Sequence, residues 1–467
     1  MSEWPRKGFT PFGWQTKAVN QWDQAGRRGI VEAVTAAGKS FVALEAMYRV
    51  LRENKKVSIL VVVPKVAIAD QWEDRLTKCF PGNKVGRIGG GRADDFSKQV
   101  IACVAIINSA VPRLNHLFRH ISRDPAWRTM LIADECHNYI QGEVWSRLLK
   151  DHRFDYTLGL SATIFEYEVE GLGRNICQYS FKDAHHDGLV PSFDLMNVDV
   201  QFNHEERDEY VRLTSSMRFA WQDVMGKHGP ELANVPEPLF FATLRRIMKR
   251  GASSEEEYDP AIRRLFGILF KRVSLAYTAE TKMTLADAAI REMVLVGRRK
   301  VMVFFERIES SEAVLENIEL QAAKDMKSRF GDSFWCEVYH SGIRPKERQQ
   351  LLAKFQAAGP CALLACRALD EGIDIPDVDG AILVASTQSK RQRIQRIGRS
   401  LRRGQDKSKP VILSFHVEGT TDQNAAEDDR KTFDGVAQVT WVKDHSCLQS
   451  LKLILASNPE TPQCNKG

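Results

Sequence analysis

The sequence predicts an α/β protein with two parallel sheets, each covered by helices, and a helical segment between them. Three features of the hydrophobic pattern lead to this prediction. Short apolar runs alternate with longer amphipathic stretches at first, the alternation stops from about 204 to 290, and it then resumes. Buried apolar strands that alternate with helices are typical of parallel sheets with both faces covered.

The predicted strands are short and rich in β-branched residues. In the first half they fall at 30–34, 57–63, 100–105, 130–133 and 157–161, with helices at 41–52 and 68–79. In the second half they fall at 301–305, 336–340, 362–366, 381–384 and 411–415. The resulting division is a first sheet domain at 1–190, a linker strand and helical insertion at 191–290, a second sheet domain at 291–430 and a C-terminal tail at 431–467.

Composition narrows the class of protein. The chain has 467 residues, of which 43% are hydrophobic and 27% charged, as in ordinary globular proteins. A net charge of +6 permits a polyanionic partner without requiring one. The nine cysteines are scattered without a CxxC pair, so the sequence does not support a zinc ribbon or an iron–sulfur site. Because neither a signal peptide nor a membrane span is recognisable, we expect a cytoplasmic protein with no membrane association.

The stretch IVEAVTAAGKS at 30–40 has the arrangement of a phosphate-binding loop. It runs from a predicted strand through small residues into a predicted helix, whose first N–H groups form an anion site. The loop residues expected at the nucleotide are Thr35, Ala36, Ala37 and Gly38. Lys39 would reach the β- and γ-phosphates, and the hydroxyl of Ser40 would ligate Mg²⁺. Alanines stand at 33 and 36, where glycines are usual, so this motif alone does not distinguish an ATP site from a turn.

The stretch LIADECH at 131–137 supplies two adjacent carboxylates after an apolar strand. At the carboxyl edge of a parallel sheet, Asp134 would hold Mg²⁺ and Glu135 would orient and deprotonate the attacking water. The alternative is a pair of solvated acids that starts a turn. The preceding apolar strand and the spacing of about 95 residues from Lys39 favour the metal site.

These two motifs open a series that resembles superfamily 2 helicases, with Asp134, Glu135, Cys136 and His137 as a DExH-type box. The resemblance covers roughly 9–415 and implies two tandem RecA-like P-loop NTPase domains with a helical insertion. In the first domain, Gln15 would read adenine. Pro64, Lys65, Asn108 and Ser109 would contact the backbone of a nucleic-acid strand, and His137, Ser161 and Thr163 would couple hydrolysis to movement.

The second half continues the series in the same order. By the resemblance, further strand contacts would come from His340, Gly342, Arg344 and Arg367. Nucleotide contacts would come from Gly372 and from Asp374, which would meet the ribose. The stretch QRIGRSLR at 395–402 matches the sixth motif, so Gln395, Arg399 and Arg402 would be catalytic, with the two arginines as arginine fingers.

The implied activity is ATP-driven movement along nucleic acid, with ATP and Mg²⁺ as cofactors. The DECH box and the basic helical insertion resemble the DNA-directed branch, which includes transcription-repair, phage branch-migration and restriction-type helicases. DNA is therefore favoured over RNA as the partner. Contacts with phosphates and sugars would make binding largely independent of sequence and sensitive to salt.

Several alternatives remain open from the sequence. One is an RNA helicase, another a duplex translocase that does not separate strands, and a third a nucleotide-sensing, non-catalytic subunit of a larger complex. The helical insertion either contacts DNA or only fixes the spacing of the domains. The biological pathway stays open among DNA repair, recombination and a phage-defence or restriction system, with or without protein partners in a multi-subunit system.

Overall fold

The computed structural model shows two parallel sheets, each enclosed by helices. It describes residues 10–457 except 36, 81–84, 97–100, 119–125, 141–142, 163–167, 236–239, 252–253, 255–256, 297–299, 307–334, 341, 358, 360, 367–377, 386–392, 394–395, 399–408, 425 and 428. Among the described helices, none combines the length and the apolar character that a bilayer crossing requires.

The first sheet has nine strands in the order β4-β3-β5-β2-β6-β7-β1-β9-β8. Their bounds are Arg28–Ala33 (β1), Val57–Val63 (β2), Val85–Gly89 (β3), Arg92–Ala93 (β4), Ala102–Ile106 (β5), Arg128–Asp134 (β6), Tyr156–Ser161 (β7), Glu168–Val169 (β8) and Gly173–Tyr179 (β9). The pairs β3–β4 and β8–β9 are antiparallel and the other neighbouring pairs are parallel. The five strands predicted in this half are confirmed.

Helices cover both faces of this sheet. Their bounds are Gly13–Gln24 (α1), Lys39–Glu53 (α2), Val66–Cys79 (α3), Ile107–Ala110 (α4), Leu114–Leu117 (α5), His137–Ile140 (α6), Glu143–Leu149 (α7) and Phe181–His186 (α8). Strand β2 shows why two layers form. Val61 and Val63 belong to the core under α2 and α3, whereas Leu60 and Val62 belong to the core under α5 and α7. Alternate residues of a strand point to opposite faces, so a fully apolar strand needs cover on both sides.

The second sheet has seven strands in the order β12-β13-β11-β14-β15-β10-β16, with parallel pairing between neighbours. Their bounds are Phe193–Val200 (β10), Lys300–Phe305 (β11), Trp335–His340 (β12), Cys361–Cys366 (β13), Gly380–Leu383 (β14), Val411–Val417 (β15) and Ala437–Lys443 (β16). The five strands predicted in this half are confirmed. The described helices of this half are His204–Leu232 (α9), Phe240–Met248 (α10), Pro260–Tyr277 (α11), Glu280–Leu295 (α12), Pro345–Ala357 (α13), Thr421–Asn424 (α14), Asp429–Thr432 (α15) and Asp444–Ser457 (α16).

The observed architecture differs from the predicted division at strand β10, at residues 437–457 and at helix α12. Strand β10, assigned to a linker, pairs with β15 and β16 inside the second sheet. Residues 437–457, assigned to a tail, form β16 and α16, and α16 packs on α12 through Cys447, Leu451 and Leu455. The second sheet domain therefore includes 193–200 and 437–457, because these segments supply its edge strand and part of its core.

The helical insertion consists of α9, α10 and α11 and has a small core of its own. That core contains Ala220, Val224, Leu244, Ile262 and Leu265. The side chain of Asn203 caps α9 and that of Asp259 caps α11, which fixes where both helices begin. Helix α12, predicted as part of the insertion, instead packs on β11 and β14. The insertion is thus a bundle that packs internally, and contact with DNA remains a prediction for it.

A buried network of hydrogen bonds and ion pairs connects helices and strands of the second sheet domain. Lys282 of α12 donates to Asp422 of α14 at 2.5 Å, and both side chains are almost fully buried. Nearby, Arg393 donates to Asn197 of β10 at 2.9 Å and to Ser414 of β15 at 2.5 Å. Removing one partner of such a buried pair leaves an uncompensated charge, so these bonds hold helices and strands in a single arrangement.

Candidate active site

The predicted phosphate loop lies at the C-terminal end of β1. It enters α2 through Gly38, whose φ of +84° is a left-handed conformation that favours glycine. A Cβ at Gly38 would lie 2.7 Å from Nε2 of Gln15. The Gln15 amide donates to the carbonyl oxygens of Ala37 and Gly38, both at 3.2 Å. Gln15 therefore braces the loop, while its predicted contact with adenine stays a prediction.

Polar groups in this loop fit a triphosphate. Nζ of Lys39 donates to the carbonyl oxygen of Ala33 at 2.8 Å and to that of Val34 at 3.4 Å, so the ammonium group lies across the loop. Oγ1 of Thr35 is buried and has no hydrogen-bond partner among the described residues. A buried hydroxyl without a partner costs free energy that a phosphate oxygen would recover. Ala36 lies outside the described residues.

The two adjacent acids follow β6 as predicted. Oδ2 of Asp134 accepts a hydrogen bond from Nε1 of Trp72 at 2.7 Å, and Oδ1 accepts one from the backbone of Glu135 at 3.0 Å. Burial raises the pKa of Asp134, whereas the bond from Trp72 and the charge of Lys39 oppose that rise. Glu135 has a φ of +49°, a strained conformation of the kind that concentrates at functional sites.

Oxygen ligands for a cation meet beside α3. Oγ of Ser40, in the first turn of α2, accepts a hydrogen bond from the guanidinium of Arg75 at 2.5 Å. The same guanidinium interacts electrostatically with the Asp134 carboxylate. A hydroxyl and a carboxylate around one positive charge fit Mg²⁺, which prefers oxygen ligands and takes others from substrate phosphates. The sequence analysis overlooked Arg75, which lies one helical turn after Trp72.

The acid box is connected to the end of β7. Nδ1 of the buried His137 lies 2.8 Å from Oγ of Ser161, and 3.4 Å from Oε2 of Glu135. A histidine that contacts both the predicted base and the predicted coupling motif is placed to link them. Thr163, the third predicted coupling residue, lies outside the described residues.

The predicted strand contacts of the first domain lie together at one edge of the sheet. Pro64 and Lys65 follow β2, and Lys65 is exposed at the start of α3. Asn108 and Ser109 lie on α4, directly after β5, which is the neighbour of β2 in the sheet. The carbonyl oxygen of the Asn108 side chain accepts a hydrogen bond from Trp145 at 2.9 Å. Carboxyl ends of adjacent parallel strands share an edge, so these residues form one surface.

The predicted strand contacts of the second domain that the structure describes lie at the end of β12 and directly after it. The backbone of Gly342 donates to Nδ1 of His340 at 3.1 Å, which fixes the turn that follows the strand. Arg344 is exposed and pairs with Glu347 through Nε and Oε1 at 2.9 Å. Ion pairs at the exposed surface contribute little because water screens the charges, so this pair does not prevent contact of Arg344 with a phosphate. Arg367 lies outside the described residues.

The sixth-motif segment reaches the phosphate loop of the other domain. A Cβ at Gly398 would lie 3.1 Å from Cβ of Thr35 and 3.4 Å from Cζ of Phe181. Arg396, two residues earlier, is buried and donates to Glu306 at 2.6 Å, which anchors the segment in the second domain. The sequence analysis missed this buried arginine. The remaining predicted residues of the second domain, Gly372, Asp374, Gln395, Arg399 and Arg402, lie outside the described residues.

Comparisons with known proteins agree with this architecture. Residues 9–166 match the family described as "Type III restriction enzyme, res subunit", and residues 286–404 match the "Helicase conserved C-terminal domain". A curated relative, the "DNA 3'-5' translocase XPB2" of Sulfurisphaera tokodaii, is 25% identical over 88% of this chain and 82% of its own length.

Two solved structures share the fold. The helicase MrfA bound to DNA has a TM-score of 0.57 at 15% identity and covers 95% of this chain, which in turn covers 51% of that protein. A Saccharomyces cerevisiae protein bound to RNA and ADP BeF3 also has a TM-score of 0.57, at 13% identity, and covers 97% of this chain and 94% of its own. With its two parallel-sheet domains and its ordered motif series, this chain belongs to the superfamily 2 DExH-type helicases.

Proposed function

We propose that this protein hydrolyses ATP between its two sheet domains and uses the cycle to move along DNA. One observation carries the proposal: Gly398, beside the predicted arginine finger Arg399, approaches Thr35 in the phosphate loop. Two domains that meet at this point would enclose one ATP between them, in contact with both. Since opposite walls of the cleft belong to different domains, binding and loss of the γ-phosphate would close and open it.

Each wall has a distinct chemical task. On the first, Lys39 would bind the β- and γ-phosphates, and Glu135 would orient the attacking water and take its proton. Ser40 and Asp134 would hold Mg²⁺, which neutralises charge on the phosphate oxygens when it is bound. On the second wall, Arg399 and Arg402, named in the sequence analysis, would stabilise charge that spreads over the equatorial oxygens in the transition state.

Movement requires that both domains contact the backbone of the DNA. Lys65 and Asn108 on the first domain, and His340 and Arg344 on the second, lie at or just after the carboxyl ends of strands. Phosphate contacts of this kind are independent of sequence. Alternating closure of the cleft would therefore advance one domain along the strand while the other holds.

DNA is the proposed track. The curated relative over most of this chain is named a DNA translocase. The structure solved on RNA shares the fold at 13% identity, which carries no information on the substrate. The proposal therefore names DNA as the activating polymer.

The test is ATPase activity across a panel of duplex DNA, single-stranded DNA, forked DNA, four-way junctions and RNA. We expect DNA to stimulate hydrolysis and RNA of equal length to stimulate it far less. Lys39→Ala should abolish the stimulated rate, because it removes the cation that binds the β- and γ-phosphates. Stimulation by RNA alone, or none by any polymer, would overturn the proposal.

A further inference from the structure

Two side chains of helix α3, one turn apart, contact the predicted Mg²⁺ ligands beside the phosphate loop. Trp72 donates to the Asp134 carboxylate at 2.7 Å, and Arg75 donates to the Ser40 hydroxyl at 2.5 Å. Residues three apart on a helix lie on the same face, so one movement of α3 changes both contacts. Both predicted Mg²⁺ ligands are thereby held by a single helix.

The guanidinium of Arg75 is a permanent positive charge at this point. Burial lowers its pKa and the Asp134 carboxylate opposes that effect, but an arginine stays protonated in proteins. Its bond occupies a lone pair of Oγ of Ser40, the atom that would ligate Mg²⁺. A dication entering the same place would be repelled by the guanidinium and would compete with it for the Ser40 oxygen.

We propose that Arg75 is a positioning residue that withholds Ser40 from the Mg–nucleotide complex until α3 moves. Helix α3 begins directly after Lys65, a proposed strand contact, and Arg75 lies about 15 Å farther along the helix. A strand that binds at Lys65 would shift α3 and draw Arg75 away from Ser40. This inference rests on the proposed function, because it explains how DNA binding at Lys65 would change Mg²⁺ binding at Ser40.

A phosphate-binding role for Arg75 is the main competing explanation. Such an arginine would contact nucleotide oxygens, and its loss would weaken nucleotide binding whether or not metal is present. The observed bond instead goes to Ser40, a predicted metal ligand. The two explanations therefore differ in one measurable quantity, which is the effect of Mg²⁺ on nucleotide affinity.

The experiment measures ADP binding by calorimetry with and without Mg²⁺, first in the absence of DNA. We expect Arg75→Met to leave Mg-free affinity within about twofold and to tighten Mg–ADP binding about tenfold relative to the unmodified protein. Arg75→Lys should restore most of the original behaviour because it keeps the charge. The matched control is Lys78→Met, since Lys78 lies on the same helix and pairs with Asp74 at the exposed surface.

Addition of duplex DNA completes the test. In the unmodified protein it should tighten Mg–ADP binding, and in Arg75→Met it should add nothing further. An unchanged Mg²⁺ effect in Arg75→Met, or weaker ADP binding with and without metal, overturns the inference. If Arg75→Met fails to fold, Arg75→Gln gives the same readout. These arms do not use hydrolysis, so they separate failure of this inference from failure of the proposed ATPase.

Discussion

Enlarging Gly398 tests the cleft between the two domains. A Cβ at this position would lie 3.1 Å from Cβ of Thr35 and 3.4 Å from Cζ of Phe181, so Ala requires a shift of a few tenths of an ångström. Val adds two further methyl groups at the same place. Overpacking costs about 1–3 kcal/mol, which corresponds to roughly a 5- to 150-fold loss of kcat/KM for ATP. We expect Gly398→Val to lose DNA-stimulated ATPase activity within this range and Gly398→Ala to be intermediate.

The matched control is Gly267→Ala in α11, where an added Cβ would meet no atom within 4 Å. It should keep full activity and gain about 1 kcal/mol of stability from the better helix propensity of alanine. Thermal unfolding should show Gly398→Val folded, because the contact joins two domains and lies outside either sheet. Full ATPase activity in Gly398→Val would refute the view that the two segments close on one nucleotide.

Three further predictions follow from contacts in the structure. Trp72→Phe removes a hydrogen bond that lowers the pKa of Asp134; that pKa should rise further, so the acid limb of the measured ATPase pH profile should move to higher pH. Ser161→Ala breaks the bond to His137; ATPase activity should persist while the number of base pairs travelled per ATP falls, as measured in parallel hydrolysis and translocation assays. Lys282→Met should lower the free energy of unfolding in urea by about 3–5 kcal/mol, and removing its buried carboxylate partner as well should recover most of that loss.

The sequence was sufficient to predict a strand where the strand's own residues form an uninterrupted apolar run. Strand β2 is apolar throughout and buried at every position, so its hydrophobic run was sufficient. Strand β10, FDLMNVDV, was predicted as a linker strand; it contains Asp194 and Asn197, which normally disfavour strands, yet it lies almost fully buried within the second sheet. Lys409 donates to Asp194 at 2.5 Å and Arg393 donates to Asn197, so partners distant in sequence permit the burial. No local pattern contains that information.

The residues of the candidate site also fall into two groups, those recognisable from local sequence and those that depend on contacts between distant segments. The phosphate loop and the acid pair were recognisable because their chemistry requires fixed residue types at short spacing. The roles of Trp72 and Arg75 depend on contacts across 62 and 35 positions of sequence, respectively, which only the folded sheet creates. Gln15 was predicted from the sequence. Its hydrogen bond to the carbonyl oxygen of Gly38 depends on the left-handed turn at that glycine, which the sequence does not specify.

The most direct measurement of the central claim is displacement of a third strand from a DNA triplex under ATP. The unmodified protein should displace it at a rate that depends on ATP and on the distance to the triplex. Lys39→Ala should bind the same duplex and leave the triplex intact. Displacement by Lys39→Ala at the unmodified rate would contradict a motor driven by ATP held between the two domains.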